Sequence, residues 1–307
     1  MDVVRALFIA LAVLVAIYVA RWGTALARSR ALPPDALERA AAPGLLHSAI
    51  GFITNFFDTL GIGSFATTTA IYKLRRLVPD ERIPGTMLVG HTLPVAAQAF
   101  AFISVVSVDR QQLVFFIIAM MAGGWLGAGT VSRLPRRVIQ IGMATALLLA
   151  GLFMTIGLLQ LYPAGGDALT LTPSRLVVAL VAYFVMGALV TLGIGHYGPS
   201  LVLFSLLGMD PRAAFPIMMG AGAFMALVAA MRFVSSGRYV ARAALGLTLA
   251  GIPGVLVAVW LVRSLPLDTV RWGVIVVVFY TAATLIRSAV EERRTLAAAR
   301  AATPVGS

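Results

Sequence analysis

Thr59-Leu60-Gly61-Ile62-Gly63 occurs twice in this chain, returning 132 positions later as Thr191-Leu192-Gly193-Ile194-Gly195. Held at that offset without a gap, residues 59–90 lie over 191–222, and ten of the 32 pairs are identical. Beyond the motif the identities are Leu74/Leu206, Pro79/Pro211, Pro84/Pro216, Met87/Met219 and Gly90/Gly222. Prolines, methionines and glycines kept in register over that distance argue for an internal repeat. In both copies Gly-Ile-Gly interrupts an apolar run. Glycine is a poor helix interior and tolerates backbone shapes that other residues cannot adopt.

The runs being interrupted are those of a membrane protein. Sixty per cent of the 307 residues are hydrophobic and 12% are charged, which is far from an ordinary globular mixture. Apolar runs fall at 3–20, 84–106, 112–131, 138–161, 213–233, 241–262 and 270–287, with shorter arms flanking the two breaks at 45–58 and 65–77, then 176–192 and 199–208. The chain has no cysteine, which excludes disulfides, thiolate metal sites and thiolate nucleophiles. No spacing of His, Asp and Glu resembles a metal site, so neither a metal nor another cofactor is expected. The net charge of +12 comes from Lys and Arg in short loops between apolar runs. That is the pattern of topology determinants in a lipid bilayer, and no nucleic-acid partner is expected.

Length and charge together predict how the broken elements sit. Arms of 13 or 14 residues reach about 20 Å, short of a hydrocarbon core of about 30 Å; the 17-residue arm 176–192 comes closer to spanning. If both elements dip in and return to their own side, 18 Lys and Arg gather on one face and 6 on the other. If both cross, the split is 13 against 11, almost no bias, so the positive-inside rule selects re-entrant hairpins. The expected fold is therefore all-α and polytopic. An N-terminal transmembrane anchor and cytoplasmic loop (1–44) precede repeat 1 (45–162), a connecting loop (163–175), repeat 2 (176–287) and a cytoplasmic tail (288–307). Each repeat holds one re-entrant hairpin and three transmembrane helices. Three crossings per repeat invert the second relative to the first. The basic flank after residue 20 favours a retained first helix, with the N-terminus outside and the C-terminus in the cytoplasm, over a cleaved signal.

Paired interruptions in corresponding places of two halves point to a transporter's binding site. After each break a helix should begin, and its first N–H groups lack internal partners. Gly61, Gly63, Ser64, Thr67 and Thr68 stand there in the first half, with Ser64 suited to capping. In the second half the residues are Gly193, Gly195, His196, Tyr197 and Gly198, with a helix start near Pro199. Two helix N-termini aimed at one midplane spot would suit a small anionic solute. The structural alternative is that the glycines only permit close helix crossing.

Asp58 is the one acidic residue embedded in an apolar run, and a carboxylate at that depth is a functional candidate as a proton carrier. The structural alternative is a satisfied helix-break residue, capping a turn with Asn55 or Thr59 beside it. His91, within the run 84–106, and His196 either shuttle protons or crosslink helices.

A chain of this size with duplicated Gly-x-Gly breaks, each followed by a short helix and three further spans, resembles the sulfite exporter TauE/SafE family of permeases over about residues 45–287. The family's Gly-x-Gly-Gly-Gly is matched at Gly61 and Gly63 and at Gly193 and Gly195. It is departed from at Ser64 and Phe65 and at His196 and Tyr197. The resemblance implies a permease of the bacterial plasma membrane for sulfite, sulfonates or related sulfur-containing oxyanions. Working by alternating access, it would be coupled to protons through Asp58 or His91. The competing functions are a passive anion channel, a non-transporting membrane protein and, at a distance, an intramembrane hydrolase using Ser64 with His91 or His196. The apolar surfaces are as compatible with a homo-oligomer as with lipid.

Overall fold

The computed structural model describes residues 3–33, 35–60, 63–102, 109–161, 163, 165–261 and the positions 279, 282, 283, 286, 287 and 290. The motif residue Gly61, most of the expected span 270–287 and nearly all of the tail lie outside the described residues. Among the described residues the chain is all helical, with no strand. The helices are α1 (Val3–Ser29), α2 (Leu45–Thr59), α3 (Ser64–Leu74), α4 (Ile83–Phe102), α5 (Arg110–Val131), α6 (Arg136–Leu158), α7 (Pro173–Val190), α8 (Tyr197–Leu206), α9 (Pro211–Ser236) and α10 (Ala241–Leu261).

Six of them are long and apolar enough to cross a membrane: α1, α5, α6, α7, α9 from Ala213 and α10 as far as Trp260. This is a multi-pass membrane protein. Two assignments differ from the sequence expectation. Helix α7, expected as a re-entrant arm over 176–192, opens at Pro173, whose fixed backbone suits a first turn. It runs 18 residues, about 27 Å, so length does not separate it from a crossing helix. The other three arms, α2, α3 and α8, have 15, 11 and 10 residues. Helix α4 has the length of a span, 20 residues, but is not among the six. Its Thr86, His91, Thr92 and Gln98 are all buried, and protein surrounds it instead of lipid, so it carries little selection for hydropathy.

The 132-residue offset pairs α2 with α7, α3 with α8, α4 with α9 and α5 with α10. The packing respects that pairing. Helix α2 lies along α10, and its counterpart α7 lies along α5; α4 also packs on α10, and α9 on α5. Exchanging the two halves therefore maps each of these contacts onto another. The contact between α4 and α9 maps onto itself, which puts these two buried helices at the centre. Helix α1 has no counterpart and rests on α9 and α4, with the Tyr18 hydroxyl donating to the Val89 carbonyl at 2.7 Å.

Glycine makes both peripheral crossings close, as small residues do between membrane helices. A Cβ at Gly51 would stand 2.6 Å from the Gly246 carbonyl oxygen and from Leu247 Cα; one at Gly123 would stand 1.8 Å from the Phe184 oxygen. In both cases the obstacle is backbone, which cannot rotate aside. Gly51→Ala and Gly123→Ala should each lower stability by about 1–3 kcal/mol, read as a reduced melting temperature in detergent. Gly23→Ala, with open space around the added methyl, should leave it unchanged or slightly raised. Equal behaviour of all three variants would contradict the close-contact account.

Candidate functional site

Helix α2 ends at Thr59, and its last turns carry hydroxyl and amide groups turned back onto the helix. Thr54, Asn55 and Thr59 donate to the carbonyls of Ile50, Gly51 and Asn55. The chain restarts at Gly63, whose φ of 86° places it in a region that side chains disfavour, directly before α3. In the second half the strained position falls on the first glycine of the motif. Gly193 has φ 98° and closes α7 in a Schellman arrangement: Gly193 N–H donates to the Val190 carbonyl at 2.9 Å and Ile194 N–H to that of Leu189 at 3.4 Å. Helix α8 then begins at Tyr197, two residues earlier than Pro199 suggested, with the proline inside its first turn.

Of the two capping residues the sequence offered, Ser64 and Asp58, the structure sets Asp58 on the start of α3. The cap is Asp58, whose Oδ1 accepts from the Ser64 backbone N–H at 2.6 Å. Its Oδ2 accepts from Gln98 Nε2 at 2.8 Å. A buried carboxyl group is thus held at the N-terminal end of a helix by two donors. The Ser64 hydroxyl, buried beside the same carboxylate, makes no hydrogen bond of ordinary geometry.

Gln98 carries the connection to the other half. Its amide also donates to Thr59 Oγ1 at 3.1 Å. The Tyr197 hydroxyl lies 3.5 Å from Gln98 Oε1, at the outer limit of a hydrogen bond, and 3.3 Å from Met219 Sδ. The second break also packs on helices of the first half: a Cβ at Gly193 would lie 3.3 Å from Met87 Cε and 3.7 Å from Thr69 Oγ1. Asp58, Ser64, Gln98 and Tyr197 therefore belong to one cluster, while Gly193 packs on Met87 and Thr69. At both Gly63 and Gly195 the space a Cβ would occupy is open, with no described atom within 4 Å.

The remaining candidates have structural partners. Thr67 donates back to the carbonyls of Gly63 and Ser64. His91 is held at both ring nitrogens, Nε2 against Thr68 Oγ1 and Nδ1 against Asn55 Oδ1, each at 3.0 Å, so it ties α2, α3 and α4 together. His196 Nε2 donates to the Met218 carbonyl at 3.1 Å, which fixes the tautomer and leaves Nδ1 as an acceptor. Gly222 leaves room for that ring. Gly198 lies in the first turn of α8, half-buried. Neither histidine is bonded to the Ser64 hydroxyl, as a nucleophile and base would be. Among the described residues no group of three or more His, Cys, Asp and Glu side chains is placed to hold a metal.

Sequence reasoning missed Gln98, although an amide inside the run 84–106 was the signal available. It also missed that the chemistry is not duplicated. At the 132-residue offset Asp58, Ser64, His91 and Gln98 correspond to Val190, His196, Ala223 and Ala230.

Compared with known families, the chain matches the family model described as "Sulfite exporter TauE/SafE" over residues 1–154 and again over 60–285. The matches together take in α1, which the resemblance over 45–287 had left outside. Comparison with curated proteins and with solved structures gave no match.

The cap makes its own prediction. Asp58→Ala removes the acceptor for Ser64 N–H and should lower stability by about 0.5–2 kcal/mol. Asp58→Asn keeps an acceptor oxygen and should lose less. Thermal unfolding in detergent ranks the two, and an alanine variant as stable as wild type would contradict the capping role.

Proposed function

This chain belongs to the TauE/SafE family of membrane transporters, and from that premise we propose that it carries a small sulfur-containing oxyanion, sulfite or a sulfonate, by proton-coupled alternating access. The observation that carries the reading is Asp58: a carboxylate already occupies the helix N-terminus suited to an anion, and the network around it reaches Tyr197 across the repeat.

In this reading Asp58 is a tethered stand-in for the solute. Two negative charges about 4 Å apart repel by about 4 kcal/mol at an effective dielectric of about 20, a factor of about a thousand against holding both. An incoming oxyanion takes the α3 N-terminus only when Asp58 accepts a proton, so anion and proton move together. The Ser64 N–H and hydroxyl and the Tyr197 hydroxyl then become donors to the solute, and the open space at Gly63 and Gly195 receives its bulk. His91 keeps the first hairpin on α4, and His196 offers an acceptor that turns donor only as imidazolium. In this reading the halves are inverted, in keeping with the 18-to-6 charge bias, and the two breaks approach from opposite faces. The protein is a transporter rather than an enzyme, in the bacterial plasma membrane, with its C-terminus in the cytoplasm.

Two measurements test this. In proteoliposomes a transmembrane pH gradient should drive accumulation of labelled sulfonate by the wild type. Asp58→Asn should abolish that response while leaving the protein folded; a variant whose flux still follows the proton gradient would refute the coupling. In a thermal-shift panel, sulfite, thiosulfate and sulfonates should stabilise the protein more than carboxylates do. Preference for a carboxylate would overturn the solute class and leave the coupling test standing.

A further inference from the structure

Helix α1 is longer than a bilayer requires. Its 27 residues reach about 40 Å, about 10 Å beyond the hydrocarbon core, and the basic residues Arg21 and Arg28 near its C-terminal end suit that end to the headgroup layer. One face is committed to the protein: Leu7, Leu11, Tyr18, Trp22 and Ser29 are buried. Along the flank of that face runs a second stripe at helical spacing, Val13, Ile17, Arg21 and Arg28, and all four are exposed. The stripe is apolar where the helix lies in hydrocarbon and cationic where it leaves it.

The cationic end opens into a cleft of about 510 Å³ between α1, the chain after it and the end of α9. Arg21, Thr24, Arg28, Ser29, Ser235 and Tyr239 line it. Glu38, the acidic group in its wall, is neutralised by an ion pair with Arg82, whose guanidinium also donates to the Gly237 and Tyr239 carbonyls. The wall is fixed further by Ala40 N–H on the Ser29 hydroxyl and by Ala241 N–H on the Leu37 carbonyl. The guanidinium groups of Arg21 and Arg28 have neither ion-pair nor hydrogen-bond partner among the described residues. The cleft thus holds two uncommitted cations, hydroxyl groups and no free negative charge.

We propose that this cleft binds the phosphate headgroup of an anionic membrane phospholipid, with Arg21 and Arg28 as its cationic contacts and Val13 and Ile17 alongside an acyl chain. Guanidinium pairs with phosphate through charge-assisted, often bidentate hydrogen bonds, and basic pockets between membrane helices are suited to such headgroups. Free phosphate would use the same two arginines. The apolar continuation of the stripe into the bilayer favours a lipid, because only a lipid fills both ends. The site is separate from the Asp58 cluster and does not depend on the transport reading.

The test uses the full chain, purified in non-ionic detergent and melted with phosphatidylglycerol, phosphatidylcholine or inorganic phosphate. Phosphatidylglycerol should raise the melting temperature, and the other two should not. In the Arg21→Gln/Arg28→Gln double variant that rise should fall to the phosphatidylcholine level, while Arg30→Gln, outside the cleft, should keep it. An undiminished rise in the double variant, or an equal one with phosphatidylcholine or inorganic phosphate, overturns the proposal. Should the double variant fail to fold, native mass spectrometry of the wild type and of Arg28→Gln decides. Preferential retention of phosphatidylglycerol by the wild type, weakened in the variant, supports the site; equal retention of the two lipids overturns it.

Discussion

The carboxylate of Asp58 on the first N–H of α3 is the contact from which the rest of the site follows. A carboxyl group without partners in the interior of a membrane protein is costly, and here two donors at the start of a helix meet it. The contact ties the start of α3 to the last turn of α2. Through Gln98 it also reaches a residue on α8. A break in a helix leaves backbone groups that lipid cannot satisfy. In the first break a side chain from the preceding helix supplies one missing partner, and in the second the chain supplies its own through the Schellman closure at Gly193.

The scaffold is duplicated and the chemistry is not. Exchange of the halves preserves the helix pairings, and α4 and α9 meet at the centre as counterparts. On that symmetrical frame the first half contributes the carboxylate, the amide and a histidine, where the second has valine and two alanines. The second half contributes Tyr197 and His196. In the reading proposed above, one titratable acid beside these two helices suits the joint movement of one proton with one anion better than two equivalent sites would.

Much of this was legible in the sequence because it rests on rules that local composition obeys. Gly-Ile-Gly inside apolar runs announced the breaks, and a lone aspartate in such a run announced the buried carboxyl group. Identities at a constant offset announced the pairing of helices. What was not legible depends on which neighbour a group meets. Ser64 has the composition of a cap, but a carboxylate six residues earlier reaches its N–H first. Thr67, read from the sequence as a donor to solute, has its hydroxyl on the carbonyls of Gly63 and Ser64. Gln98 gains its meaning only when α4 lies against the end of α2. Hydropathy alone does not sort the elements: α7 is long and apolar enough to cross, while α4, enclosed by other helices, carries polar residues of the site.

The central claim is that Asp58 and the transported anion exclude each other from one place unless a proton arrives. Proton uptake on binding measures this directly. Purified protein in weakly buffered solution is titrated with a sulfonate, which does not itself titrate near neutrality, while a pH indicator is followed. The account predicts close to one proton taken up per anion bound. Saturable binding with no proton uptake would contradict it.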